Sequence, residues 1–169
     1  ISALFIVPSS MLATVSALSA QNLGAGKEKR ATDTLRYATV ITTIYGVIVA
    51  VLIQFIAENV VGIFTSDTTV VTMGSAYIRS YIWDCIFAGI HFSFSGYFAA
   101  CGKSYIGFLH NIISITFVRV PGSYLASKYF TDTLYPMGLA APAGSLVSVA
   151  ICVTAFILLK RKSRVAQTV

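Results

Sequence analysis

Residues 77–103 read YIRSYIWDCIFAGIHFSFSGYFAACGK, and the rest of the chain is interpreted from this stretch. A helix of about 20 apolar residues is long enough to cross a bilayer. This stretch has that length, yet it carries the ionisable residues Asp84 and His91. Placing a charged side chain at the centre of a bilayer costs on the order of 3 kcal/mol. We therefore expect a water-filled cavity, an ion or a neighbouring charge beside them.

The polar residues of this span fall on one side of the predicted helix. His91 projects about 20° to one side of Asp84 and Ser95 about 20° to the other. We interpret this polar stripe as the wall of a pathway, in which His91 either relays protons or simply hydrogen-bonds a neighbouring helix. Tyr81 and Phe94 flank the stripe, where they either offer aromatic faces to an organic cation or pack against neighbours and lipid.

The composition is typical of an integral membrane protein. Hydrophobic residues make up 56% of the chain, charged residues 11%, and the mean hydropathy is +0.80. A soluble domain carries roughly 25% charged residues. Because the apolar residues occur in blocks, we predict an all-α, polytopic transmembrane bundle. The predicted membrane domain, residues 1–159, has five spans at about 1–23, 35–57, 77–101, 105–127 and 137–159, and a basic tail follows at 160–169.

The basic residues predict the orientation of the bundle. One side holds nine of them: Lys27, Lys29, Arg30, Arg36, Lys103, Lys160, Arg161, Lys162 and Arg164. The opposite side holds Arg79 and Lys128. By the positive-inside rule, the first side and the C-terminal tail are cytoplasmic. The net charge of +6 is therefore interpreted as a topology signal. A nucleic-acid surface would need a basic stripe on a soluble face, which this pattern lacks.

The fourth predicted span contains Arg119 at a depth similar to that of Asp84. Each lies about seven or eight residues from the outer end of its span, and consecutive antiparallel spans tend to be neighbours. We therefore predict that Asp84 and Arg119 pair, directly or through water. The pair is either structural or a site for a cation, a proton or a cationic drug. Pro8 and Pro121 are candidate hinges, with static kinks as the alternative.

No pattern in the sequence indicates an enzyme. His91 and His110 lie on different predicted helices without metal-ligand spacing, and no nucleophile-and-base arrangement can be assembled. A P-loop is absent. We therefore expect no catalytic residue and no metal site. The cysteines are odd in number and lie in apolar blocks, which predicts small buried side chains rather than disulfides.

Several short motifs resemble the MATE (multidrug and toxic compound extrusion) transporters. SAQNLGAG at 19–26 resembles the end of that family's eighth helix. DCIF at 84–87, SGYF at 95–98 and CGK at 101–103 resemble the tenth helix and its turn in some bacterial members. VRVP at 118–121 resembles the eleventh helix and GLA at 138–140 the start of the twelfth. The resemblance covers nearly the whole chain but only the last five of the family's twelve helices.

The resemblance implies an antiporter that expels small organic, often cationic, compounds in exchange for inward sodium or protons, with no other cofactor. Two lobes would rock around a central cavity, and this chain would be part of the C-terminal lobe. Its partners would be the N-terminal lobe of the same protein and the lipid bilayer, in a bacterial inner membrane. The chain begins in mid-span without an initiator Met, which predicts a piece of a longer protein.

Two other functions remain open. A lipid-linked glycan flippase of the same superfamily would need several Lys or Arg in its cavity to hold a pyrophosphate. A non-transporting membrane scaffold would bury Asp84 and His91 in a dry helix contact with no cavity.

Overall fold

The computed structural model describes the backbone of residues 2–167 and the side chains of residues 2–161. Every regular element in this part of the chain is helical, which confirms the predicted all-α class. A 3-10 turn, Ser2–Phe5, leads into the first helix. The helices are α1 (Ile6–Gly24), α2 (Glu28–Gly62), α3 (Thr68–Tyr81), α4 (Asp84–Ala100), α5 (Ser104–Ser114), α6 (Val120–Tyr129) and α7 (Tyr135–Gln167), with a π turn, Ile115–Arg119, before α6.

Three helical segments are by themselves long and apolar enough to cross a bilayer: Ser2–Gly24, Glu28–Gly62 and Tyr135–Arg161. The helices extend beyond most of the predicted spans, whose membrane boundaries stay predictions. Helix α7 continues through the predicted start of the tail, and the side chains of residues 162–169 lie outside the described part, as does residue 1.

The third predicted span is two helices rather than one. It begins at Thr68, where the Asp67 carboxylate accepts hydrogen bonds from the N–H groups of Thr69 and Val70 and caps α3. The chain then tightens before Asp84. The Cys85 N–H donates to the Ile82 carbonyl at 3.0 Å, a bond that spans three residues as in a 3-10 turn. The prediction of one uninterrupted helix from residue 77 is therefore wrong.

The fourth predicted span contains a π turn between α5 and α6. The Val120 N–H donates to the carbonyl of Ile115, five residues earlier. Pro121 follows, and it has no N–H with which to continue an α-helical ladder. The π turn therefore lies where the sequence removes a hydrogen-bond donor.

Pro8 has a different position. It is the third residue of α1, which continues the 3-10 turn Ser2–Phe5 without a break. The Leu4 carbonyl, four residues before Pro8, accepts instead from the Tyr45 hydroxyl at 3.1 Å. A bend or hinge at Pro8 stays a prediction. Pro142, by contrast, lies inside α7 and was not singled out from the sequence.

Helix α4 occupies the centre of the bundle and packs against α1, α2, α5 and α7. Glycines allow the close approaches. A Cβ on Gly89 would lie 2.5 Å from the Thr42 Cβ, and one on Gly96 would collide with the backbone carbonyl of Leu12. The outer face of α2 is exposed and apolar, as at Ile44 and Phe55, which suits contact with lipid. All three cysteines are free; Cys85 and Cys152 are buried, as predicted, whereas Cys101 is only partly buried.

Candidate functional site

The centre of the site is a buried ion pair between α4 and the π turn. Arg119 Nη2 lies 3.4 Å from Asp84 Oδ1 and 3.4 Å from Oδ2, as the sequence predicted. The Asp84 side chain is 2% exposed and that of Arg119 29%. Asp84 is the first residue of α4 and Arg119 the last of the π turn. Both helix irregularities thus lie at the ion pair.

Ser145 of α7 connects this ion pair to His91. Arg119 Nη2 donates to Ser145 Oγ at 2.6 Å, and Ser145 Oγ lies 3.3 Å from His91 Nε2. Gly144 makes room for the arginine, since a Cβ there would lie 2.5 Å from Arg119 Cγ. The small residues of α7 therefore determine where the guanidinium can lie.

The connection continues to α5. The rings of His91 and His110 have centroids 5.4 Å apart, and His110 Nε2 lies 2.9 Å from Ser95 Oγ. Ser95 Oγ also donates to the His91 carbonyl at 2.8 Å. We call the connected side chains the polar network: Asp84, Arg119, Ser145, His91, His110 and Ser95.

The serine hydroxyls constrain which imidazole nitrogens carry protons. Ser95 has one hydroxyl proton and gives it to the His91 carbonyl, so His110 Nε2 must be the donor to Ser95. Ser145 accepts from Arg119 and can give its own proton either to His91 Nε2 or to the Asp84 carboxylate. In the neutral His110 ring, Nδ1 is therefore an acceptor, whereas Nδ1 of His91 is a donor only when Ser145 donates to His91 Nε2.

These two nitrogens are buried without a hydrogen-bond partner. His91 is 4% exposed and His110 1%. Ser114 Oγ and Arg119 Nε, next to Gly144, are also buried and unpartnered. A buried polar group without a partner costs about 1–3 kcal/mol. These unsatisfied groups therefore favour a rearrangement that gives them polar partners.

A cavity of about 240 Å³ lies beside the histidines, between α1, α4 and α5. It runs from the α4–α5 turn at Ala99 and Ser104 to both rings. Its lining residues are Leu12, His91, Phe92, Ser95, Ala99, Ser104, Gly107, His110 and Asn111.

The two predicted aromatic residues lie apart. Tyr81 stacks on Tyr77, with ring centroids 5.5 Å apart, one turn before Asp84. Phe94 is buried in an apolar cluster and contacts Phe98 and Phe156. The structure thus places Phe94 away from the polar network, because it projects from another side of α4 than His91.

Sequence reasoning missed His110 and Ser145. His110 was passed over because it lies near the end of its span. Ser145 is one of several serines in an apolar helix and has no distinguishing neighbour in the sequence. One usable signal existed: Gly138, Ser145 and Cys152 recur at the seven-residue spacing that places side chains on one face of a helix.

Buried polar and titratable side chains in a bundle that contains three membrane-length helices define the class of this protein. It is a polytopic membrane protein with a polar interior, which is the arrangement found along the substrate and ion pathways of transporters.

The MatE family model matches residues 1–125, and the chain belongs to the MatE family of transporters. Protein DETOXIFICATION 14 of Arabidopsis thaliana is 29% identical to it over 147 residues, which are 86% of this chain and 30% of that protein. The chain therefore spans less than a third of the length of this curated relative. No solved structure gives a significant match.

Proposed function

We propose that this chain is part of an antiporter that exports small organic compounds, organic cations among them, in exchange for sodium or protons. The proposal depends on one observation, the Asp84–Arg119 pair held inside the bundle by Ser145. Alternating access would expose this pair to the two sides of the membrane in turn. The cytoplasmic position of the C-terminus and a bacterial inner membrane stay predictions.

The free-energy cost of burying an ion pair favours a functional role for Asp84 and Arg119 over a purely structural one. Apolar side chains of similar volume often stabilise a protein as well as a buried ion pair does. Here, Asp84 is buried inside the bundle, whereas Arg119 stays partly exposed. The Asp84 side of the ion pair is therefore closed, whereas the Arg119 side is accessible from outside the bundle.

The charge balance indicates how a cation would bind. Asp84 is already neutralised by Arg119, so a sodium ion, a proton or a cationic substrate must displace the guanidinium to use the carboxylate. Each displacement would leave Arg119 with only Ser145 as a partner. Cation binding and movement of Arg119 are thus coupled.

The alternatives are less well supported. Asp84 and His91 are buried, as a scaffold would require, but the cavity lined by His91 does not suit a dry helix contact. Within the described residues, Arg119 is the one cationic side chain of the polar network, whereas a pyrophosphate site calls for several.

Dye efflux from cells expressing the full-length protein that contains this segment, with sodium and pH varied separately, tests the proposal. We expect Asp84→Asn and Arg119→Gln each to abolish most efflux and the double variant to lose little more, because each single change already breaks the pair. Efflux that survives Asp84→Asn under both gradients would contradict the proposal.

The matched control is the ion pair between Arg79 and Glu58, with Nη2 and Oε1 3.1 Å apart and side chains 34% and 61% exposed. Exposed pairs contribute only about 0–1 kcal/mol. Glu58→Gln makes the same carboxylate-to-amide change as Asp84→Asn. It should leave efflux near the wild-type rate.

A further inference from the structure

We propose that His91 and His110 form a proton-conducting pair that connects the buried Asp84–Arg119 pair with the cavity at the α4–α5 turn. The inference rests on the proposed function and narrows it, since it makes the proton the coupling ion. Nothing in the sequence pairs these two histidines, which lie on different helices.

The first support is the continuous contact path. Arg119 Nη2 is shared by Asp84 at 3.4 Å and Ser145 at 2.6 Å, and Ser145 reaches His91 Nε2 at 3.3 Å. The two imidazole rings follow at 5.4 Å between centroids. Polar side chains thus connect Asp84 with the cavity that both rings line.

The second support is the complementary pair of unpartnered nitrogens. Nδ1 of the neutral His110 ring has a lone pair to receive a proton, and Nδ1 of His91 has a proton to give when Ser145 donates to His91 Nε2. Both nitrogens are closed to water in this structure, so a water that bridges them would enter as the rings move apart. Imidazole is the side chain best suited to take up and release a proton near neutral pH.

The proton balance along the path closes. Once a proton on Asp84 has displaced Arg119, the carboxyl can hydrogen-bond Ser145. Asp84 then loses its proton to Ser145 Oγ as Ser145 passes its own hydroxyl proton to His91 Nε2. His91 loses its Nδ1 proton to the bridging water, which passes a proton to His110 Nδ1. His110 then releases a proton to water in the cavity. One proton leaves Asp84 and one reaches the cavity. His91 ends with its proton on Nε2 in place of Nδ1, so its ring must turn over before the next transfer.

Few charges compete for this proton. The titratable and charged groups facing the rings are Asp84, Arg119 and the histidines themselves. Helix α1 presents Leu12, α5 presents the Asn111 amide, and α7 presents serine hydroxyls. Helix α2 packs on the Gly89 face of α4 through Thr42.

The test uses the full-length transporter in proteoliposomes with ethidium as substrate. Proton-driven ethidium flux and its pH profile are compared with ethidium exchange at equal pH on both sides. Exchange needs no net proton transfer, so a relay residue affects only the driven flux. We expect His91→Gln and His110→Gln to lower driven flux on the order of 100-fold, as for the loss of a positioned proton-transfer group, while exchange persists.

Ser148→Ala is the matched control. Ser148 Oγ donates to the His110 carbonyl at 3.4 Å and is buried, but it holds no relay proton. Both activities should persist in this variant. If the histidine variants keep the driven flux and its pH profile, or lose exchange in the same proportion, the inference is overturned.

Wild-type behaviour separates this inference from the proposed function. Flux that follows a sodium gradient and ignores the proton gradient overturns the proton pair but leaves the antiporter. The absence of ethidium flux under either gradient overturns both.

Discussion

At the scale of single residues, the position of Arg119 determines the chemistry of the site. Its guanidinium is held by the Asp84 carboxylate and the Ser145 hydroxyl, and its aliphatic part lies against Gly144. Breaking a buried ion pair by removing one partner costs about 3–5 kcal/mol, because an uncompensated charge remains. Any movement of Arg119 in transport therefore needs an incoming cation or proton on Asp84.

Gly144→Ala tests this packing. The added methyl group would overlap Arg119 Cγ and Ser114 Oγ, which lie 2.5 Å and 2.8 Å from the Cβ position. Such overpacking costs about 1–3 kcal/mol. We expect a lower thermal unfolding midpoint and reduced substrate efflux, measured on purified protein and in cells. Gly24→Ala, where no atom lies within 4 Å of the new Cβ, should be neutral in both.

The sequence predicted the ion pair but not its surroundings, and the reason is physical. A charge in an apolar span must have a partner, and Asp84 and Arg119 fall at similar depths in consecutive spans. Ser145 and His110 carry no charge that would require a partner, so this argument does not locate them. A serine can satisfy its hydroxyl on its own helix, as Ser93 does on the Gly89 carbonyl, so its role depends on a tertiary contact.

At the scale of elements, the irregular turns lie where the charges are. The 3-10 turn before α4 and the π turn before α6 flank the Asp84–Arg119 pair. Helix irregularities are frequent at functional sites because they redirect side chains and free backbone groups. The Arg79 carbonyl, near the first irregularity, accepts a hydrogen bond from Gln54 Nε2 at 3.0 Å. Neither turn was predicted, since each depends on packing between helices.

Pro121→Ala tests the π turn. Alanine restores an N–H that can donate to the Phe117 carbonyl, which favours an α turn in place of the π turn. Closing the π turn into an α turn increases the helical twist before Arg119 and rotates its side chain relative to Asp84. We therefore expect efflux to fall while the unfolding midpoint stays level or rises. A fall in both would contradict this explanation.

Pro136→Ala is the matched control, because Pro136 is the second residue of α7 and is only partly buried. Replacing it restores an N–H for which an isolated helix has no partner. Neither efflux nor the midpoint should change much.

At the scale of the whole molecule, α4 is the buried centre of a bundle whose outer surface is apolar. The class and the family could be read from hydropathy and short motifs, because a bilayer imposes length and polarity on every span. The contacts among α1, α4, α5 and α7 could not, because apolar helices in lipid give few sequence signals about which faces meet.

The predicted orientation can be measured by labelling single introduced cysteines with a membrane-impermeant maleimide. Asp132→Cys should react in intact cells and Lys103→Cys only after permeabilisation, because the basic side is retained in the cytoplasm. Labelling of the unsubstituted protein measures the background from the native cysteines, which are Cys85 and Cys152, both buried, and Cys101. The reverse pattern would invert the topology, and with it the side to which the cavity opens.

The central claim is that water reaches the polar network during transport, and Ser145→Cys measures this directly. Ser145 is 0% exposed in the structure, so a water-soluble thiosulfonate reagent can modify a cysteine there only when the helices open. Ser19→Cys, at an equally buried serine outside the network, is the control. We expect modification at position 145, and not at 19, when substrate and a proton or sodium gradient are present. A thiol at position 145 that stays unmodified under every gradient would contradict the account.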